Sequence, residues 1–227
     1  MVLRYGVIIA IHVSQLFMKR LIIYFAAIVF FTSCITKTKS DDSVLKAALE
    51  SFQKGNYEQS QATLQEYTQK YPEDARGWSF WGTVAVEMGN DSLAQVVLSR
   101  ALVLDSKDYK AITGLGVIES HKKNYDKAEA YYYESIKVNP NYSIAYGSLS
   151  ALELRRNNFH KAAELGEKAT LLNPEDLISQ ANLSVAYHFL KQYNKRDSLI
   201  EKLSSKGYKN TDNLKLIFDG IIRIEDL

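Results

Sequence analysis

The chain has 227 residues, with 28 Lys and Arg against 26 Asp and Glu and a formal net charge of +2. A nearly balanced sum gives no electrostatic argument for nucleic acid, and the length suits one ordinary domain or a short repeat array. The single cysteine, Cys34, excludes an intramolecular disulfide and any multi-cysteine metal site.

In chain order, two apolar runs come first, Val7 to Phe17 and Leu21 to Phe31, divided by Met18-Lys19-Arg20. As a helix the second run is about 16 Å long, roughly half a bilayer core. Merging the two runs would bury Lys19 and Arg20 at about 2.5–3.5 kcal/mol each. Met18 is therefore the expected start, with residues 1–17 an upstream extension and 1–33 a signal region. Basic residues, a short apolar stretch and Thr32-Ser33 before Cys34 resemble a bacterial lipoprotein signal, although Phe31 stands where that motif usually has Leu. The resemblance implies a diacylglycerol on the Cys34 thiol, cleavage before Cys34 and a membrane lipid anchor. An ordinary cleaved or uncleaved anchor is the alternative. By the same resemblance, Ile35 after the cysteine points to the outer membrane of the cell envelope, and the expected orientation faces the periplasm. Two acyl chains would hold the protein firmly, since each buried CH₂ is worth about 0.8 kcal/mol. Loss of residues 1–33 removes Arg4, Lys19 and Arg20 and no acid, so the +2 of the full chain becomes −1. Residues 34–40 form a polar tether of about 20 Å when extended. Ser40-Asp41-Asp42 reads as an N-cap with acids in a first helical turn, or as an acidic surface-export cluster.

Pro72, Pro140 and Pro174, the only prolines, are separated by one or two multiples of 34 residues. That period divides the chain into 41–74, 75–108, 109–142, 143–176 and 177–210. Within this frame position 8 reads Ala48, Gly82, Gly116, Ser150, Ser184 and position 20 reads Ser60, Ala94, Ala128, Ala162, Arg196. Small residues on facing helices allow a close approach that a branched side chain would block. Position 7 (Ala47, Trp81, Leu115, Leu149, Leu183) and position 17 (Tyr57, Asp91, Tyr125, Phe159, Tyr193) supply bulk. Between them lie Gly55-Asn56, Gly89-Asn90, Lys123-Asn124, Asn157-Asn158 and Lys191-Gln192, turns rich in residues that tolerate left-handed angles. These positions together resemble the tetratricopeptide repeat over residues 41–210. The fold implied is all-α, a helical-hairpin solenoid of about five repeats. Residues 211–227 are expected to form one capping helix with Leu214, Ile217, Phe218, Ile221 and Ile222 on its apolar stripe. Leu216 and Ile224 lie off that stripe and would suit a homodimer contact. Gly166 replaces a bulky residue and leaves a gap that Leu165 or Leu171 is expected to fill.

No reaction centre is visible, and no cofactor is expected. His12, His121, His160 and His188 lack a second ligand at metal spacing. Gly114-Leu115-Gly116 precedes no strand-to-helix turn, so its glycines are assigned to hairpin packing. Glu119 and Glu153 recur at position 11, where salt bridges with Lys122, Arg155 or Arg156 are expected rather than acid–base chemistry.

The family resemblance implies that the first helix of each hairpin lines a concave groove through positions 2, 5, 9, 12 and 13. The floor then reads Leu45, Leu49, Phe52; Ser79, Thr83, Val86; Thr113, Val117, Ser120; Gly147, Ala151, Leu154; Ala181, Val185, His188. It is small or apolar, with Arg76, Lys110 and Arg155 to steer acidic flanks, and lacks the Lys/Asn clamp of the chaperone-binding members. The expected ligand is a helical or extended protein segment. Lipoproteins of this kind serve as secretin pilotins, outer-membrane assembly factors or cell-wall hydrolase adaptors, which implies a lipid-anchored scaffold. A carrier for an envelope glycan or lipid is the alternative.

Overall fold

A computed structural model describes residues 40–221. The signal region, Cys34 with the tether up to residue 39, and residues 222–227 lie outside the described residues. Among the described residues, those from Asp41 onward form one compact unit. Its helices are α1 (Asp42–Gln53), α2 (Tyr57–Lys70), α3 (Ala75–Glu87), α4 (Asp91–Leu104), α5 (Tyr109–His121), α6 (Tyr125–Val138), α7 (Ser143–Arg155), α8 (Phe159–Leu172), α9 (Leu177–Phe189), α10 (Tyr193–Ser205) and α11 (Thr211–Phe218). Consecutive helices pair as five hairpins, and the second helix of each packs on the first helix of the next.

One backbone device closes all five hairpins. Gly55, Gly89, Lys123, Asn157 and Lys191 have φ of 78°, 71°, 61°, 60° and 59°. Each left-handed residue turns the next amide back onto the first helix: Asn56, Asn90, Asn124, Asn158 and Gln192 donate to the carbonyls of Ser51, Ala85, Glu119, Glu153 and Tyr187 at 2.8–2.9 Å. Lys191 occupies a conformation that costs a residue with a Cβ about 1–2 kcal/mol. Lys191→Gly should therefore stabilise the fold by about 0.5–1 kcal/mol after the greater entropy of unfolded glycine is subtracted, raising Tm by about 1–4 °C in a thermal melt.

The small positions face one another as expected. Ser60 Oγ donates to the Ala48 carbonyl at 2.9 Å, and Ser150 Oγ to the Ala162 carbonyl at 2.7 Å. Gly82 and Gly114 are holes for a single knob. A Cβ on Gly82 would overlap Leu98 Cδ2, and one on Gly114 would lie 2.8 Å from Leu98 Cδ1. Gly116 plays the same part for Tyr132, at 2.6 Å. The gap at Gly166 is filled differently from the sequence expectation. Leu183 of the next hairpin reaches within 3.2 Å of where its Cβ would be, while Leu171 is exposed and Leu165 packs on another cluster. No deep pocket opens there, because a position-7 leucine is long enough to cross into the hole.

The loops between hairpins carry a second recurring bond. Trp78 Nε1, Tyr146 Oη and Gln180 Nε2 donate to the carbonyls of Pro72, Pro140 and Pro174 at 2.9, 3.1 and 3.0 Å. All three sit at position 4, and Ile112 takes that position after the proline-free loop at Ser106. Asp41, Asp74, Asp108 and Asp176 cap the first helices by accepting backbone amides. Asp41-Asp42 is thus a cap with an acid in the first turn.

The C-terminal end departs from the expectation in its length. α11 stops at Phe218 because Gly220 (φ 71°) turns the Ile221 amide back onto the Leu216 carbonyl at 2.8 Å. Ile221 is consequently exposed rather than part of the apolar stripe. Leu214 and Ile217 are buried against α9 and α10, sharing a core with Leu183, Val185, Tyr187 and Leu203. α11 caps the last hairpin.

Candidate functional site

The first helices form the side on which the sequence places the groove: α3 touches α5, α5 touches α7, and α7 touches α9. Along it Leu49 is 42% exposed, and Thr83, Val86, Val117, Ser120, Ala151 and Arg155 are partly exposed. Leu45 and Phe52 are half-buried. Phe52 is fixed by Tyr57 and Phe80, with ring centroids 5.4 and 5.8 Å away. Lys110 is exposed.

Four of the expected groove residues are core instead. Ser79, Thr113, Leu154 and Val185 are each at most 4% exposed. Thr113 Oγ1 donates to Ser135 Oγ at 2.7 Å, and Ser135 Oγ donates to the Tyr109 carbonyl at 2.9 Å. Position 5 therefore packs within and between hairpins. Gly147 and Ala181, at the same position, are buried as well, Gly147 because Ser179 Oγ occupies the space a Cβ would need. Leu154 and Val185 are buried in the cluster that includes α11. Arg76 is not a free steering charge: it is bound to Asp42 at 2.9 Å and Asp74 at 2.8 Å. Burial alone would raise the Asp74 pKa, but hydrogen bonds from Arg76 and from the Tyr67 hydroxyl at 2.7 Å outweigh it and hold the carboxyl at about 2.

Two exposed apolar residues stand at position 2, a groove position in the sequence reading, although that reading did not single them out. Ile144 is 47% exposed and Ile178 65%, both at position 2 of adjacent repeats. Their 34-residue spacing was the available signal. An isoleucine at a helix start draws no notice until its exposure is known.

At the turn edge of the central repeats position 11 carries a polar ladder. Glu119 accepts from Asn124 at 2.9 Å and pairs with Lys122 at 3.2 Å, and Lys122 also donates to Gln95 of the preceding repeat. One repeat on, Glu153 accepts from Asn158 at 2.7 Å and pairs with Lys161 at 2.9 Å and Arg156 at 3.3 Å. Arg156 also reaches Glu129 and Asp126 of the preceding repeat, at 2.6 and 2.7 Å. Burial pushes the Glu153 pKa up, yet the Asn158 and Lys161 hydrogen bonds and the neighbouring cations hold it below the ordinary carboxylate range. Both glutamates are thus ionised salt-bridge partners, Lys122 and Arg156 being among the cations expected. A carboxylate so held is a poor general acid. Among the described residues no group of three or more His, Cys, Asp and Glu side chains is arranged to hold a metal, and no helix is long and apolar enough to cross a membrane.

The profile of the tetratricopeptide repeat matches residues 109–142, the third hairpin. The structure is similar to that of PilF from Pseudomonas aeruginosa, with a TM-score of 0.61 and 20% identity over 82% of this chain and 84% of that one. It is also similar to TTC0263, a tetratricopeptide protein of Thermus thermophilus, with a TM-score of 0.65 and 13% identity over 79% and 97%. The described residues have the fold of a tetratricopeptide solenoid. Peroxisome biogenesis protein 5 of Arabidopsis thaliana is 28% identical over 98 residues, which span 43% of this chain and 14% of that protein. The stacked hairpins offer an extended surface rather than a closed cleft.

Proposed function

We propose that this tetratricopeptide array is a lipid-anchored envelope scaffold that docks a segment of a partner protein along its first helices. The observation that carries the reading is the set of exposed apolar side chains Leu49, Ile144 and Ile178 on helices that a soluble core would otherwise close. Val117, Ala151 and Val86 lie half-exposed between them. This spaced apolar surface suits the apolar stripe of a helical or extended segment, with Lys110 and Arg155 beside it. The sequence before Asp41 supports anchoring through Cys34 at the outer membrane. Adaptor roles in secretin assembly, outer-membrane protein assembly or cell-wall hydrolase localisation all fit such a surface.

Leu49→Glu with Ile178→Glu should reduce partner capture from crosslinked envelopes at least tenfold, read by quantitative mass spectrometry, with unchanged far-UV circular dichroism. Each exposed apolar side chain lost from a contact is worth about 1.5–3 kcal/mol. An unchanged set of captured proteins would overturn groove docking. Labelled fatty acid fed to cells should mark the wild type and not Cys34→Ala, and an unlabelled wild type would overturn lipid anchoring.

A further inference from the structure

His188 at the end of α9 is enclosed by groups from α10 and α11. Its ring stacks on Phe218 of α11, with centroids 4.7 Å apart and planes at 23°. Phe189 and Tyr193 meet it edge-on at 5.1 and 6.1 Å. Nδ1 lies 3.0 Å from an Arg196 guanidinium nitrogen. A guanidinium only donates, so Nδ1 accepts, and the ring is neutral with its proton on Nε2. The same guanidinium lies over the Tyr193 and Phe218 rings at 4.9 and 5.1 Å and pairs with Asp197 at 2.6 Å. Arg196 thus binds α9, α10 and α11 together, which explains a long side chain where the other repeats have Ala or Ser.

The charged groups facing His188 are Arg196 with Asp197 from α10 and Asp219 at the end of α11. Burial and the Arg196 charge hold His188 below its ordinary pKa, with Asp219 opposing. Adding a proton would remove the acceptor at Nδ1 and set two cations about one hydrogen-bond length apart. α11 is eight residues long and is held by this stack together with buried Leu214 and Ile217. Leu214 and Ile217 share a buried cluster with Val185, at groove position 9 of repeat five, and Phe218 lies on His188 at position 12.

We propose that α11 is a proton-controlled cover over the repeat-five end of the groove, held down by neutral His188 bonded to Arg196 and released when His188 is protonated. Released His188 has an ordinary pKa of about 6.5 and binds more protons than the docked form below that pH. Docking is therefore fully favoured above about pH 6.5 and is lost as the pH falls through the lower docked value. This closure does not depend on which partner the groove binds.

The test is hydrogen exchange of the full chain in detergent micelles at pH 7.5 and 5.0, corrected for intrinsic rates, with α5 and α6 as the internal reference. In the wild type, α11 protection should fall severalfold at pH 5.0 while the reference helices hold. His188→Gln keeps an acceptor for Arg196 but cannot gain a charge, and should keep α11 protected at both values. If that variant leaves α11 unprotected throughout, Arg196→Gln decides, since removing the cation leaves only burial to depress His188 and should clearly weaken the pH dependence. No fall in the wild type, or an equal fall in the deciding variant, overturns the proposal.

Discussion

Leu98→Ala should destabilise the array by about 4–5 kcal/mol, near the top of the range for a truncated core leucine. The reason is its neighbours. Leu98 is fully buried between Gly82 of its own hairpin and Gly114 of the next. Neither glycine has a side chain that could swing into the space, and the backbones on both sides are helical, so the cavity collapses little. Both an intra-hairpin and an inter-hairpin contact are lost, which in a solenoid removes coupling between repeats as well as stability within one. Gly82→Ala alone should also destabilise, by about 1–3 kcal/mol, because its Cβ meets Leu98. In the Leu98→Ala background the same Cβ would enter a vacant space and stabilise. Urea unfolding of the four proteins of this cycle should give a coupling of about 2 kcal/mol or more. A cost for Leu98→Ala below about 2 kcal/mol would show that the helices close over the glycine holes.

The holes at Gly82 and Gly116 were legible in the sequence because the two glycines share a phase with Ala48, Ser150 and Ser184, whereas Gly114 stands two positions before Gly116 and has no such phase. The turns were legible for the same reason, and at Lys123, Asn157 and Lys191, which are not glycines, only the repeat frame points to the left-handed angles that the structure shows. Less was legible in the groove. Position 5 was assigned to its floor, yet Ser79 and Thr113 are small enough to be drawn into the packing between helices, and size alone does not separate a shallow floor from a tight contact. Arg76 looked available because its two acceptors, Asp42 and Asp74, belong to the preceding repeat and its loop. The opposite error concerned Ile144 and Ile178, which fall at groove position 2 but were left out of the floor, where only positions 5, 9 and 12 were read. In each case the missing quantity was which repeat supplies the neighbour, and a single 34-residue frame does not contain it.

Glu153 is where that dependence on neighbours has its largest electrostatic consequence. Glu153→Ala should cost about 2–3 kcal/mol, somewhat under the 3–5 kcal/mol for stranding a buried charge, because the stranded cations can regain water. Arg156 is 24% exposed and Lys161 43%, whereas the Glu153 side chain is 1% exposed. Arg156 also keeps Glu129 and Asp126, so the link to the preceding repeat weakens without vanishing. Glu153→Gln preserves the shape and an acceptor for Asn158 but discards the charge, and should cost about half as much. The two variants differ from the wild type in pH dependence too. Since the folded carboxyl has a lower pKa than the unfolded one, the unfolded chain binds more protons between the two values. The stabilisation is complete above the unfolded value of about 4.3 and is lost as the pH falls through the folded value. Urea midpoints measured from pH 7 to pH 3 should converge for wild type and Glu153→Gln at the acid end and separate above about pH 5. Parallel curves across that range would mean that Glu153 fills space at the turn edge and that its charge does not couple the third and fourth repeats.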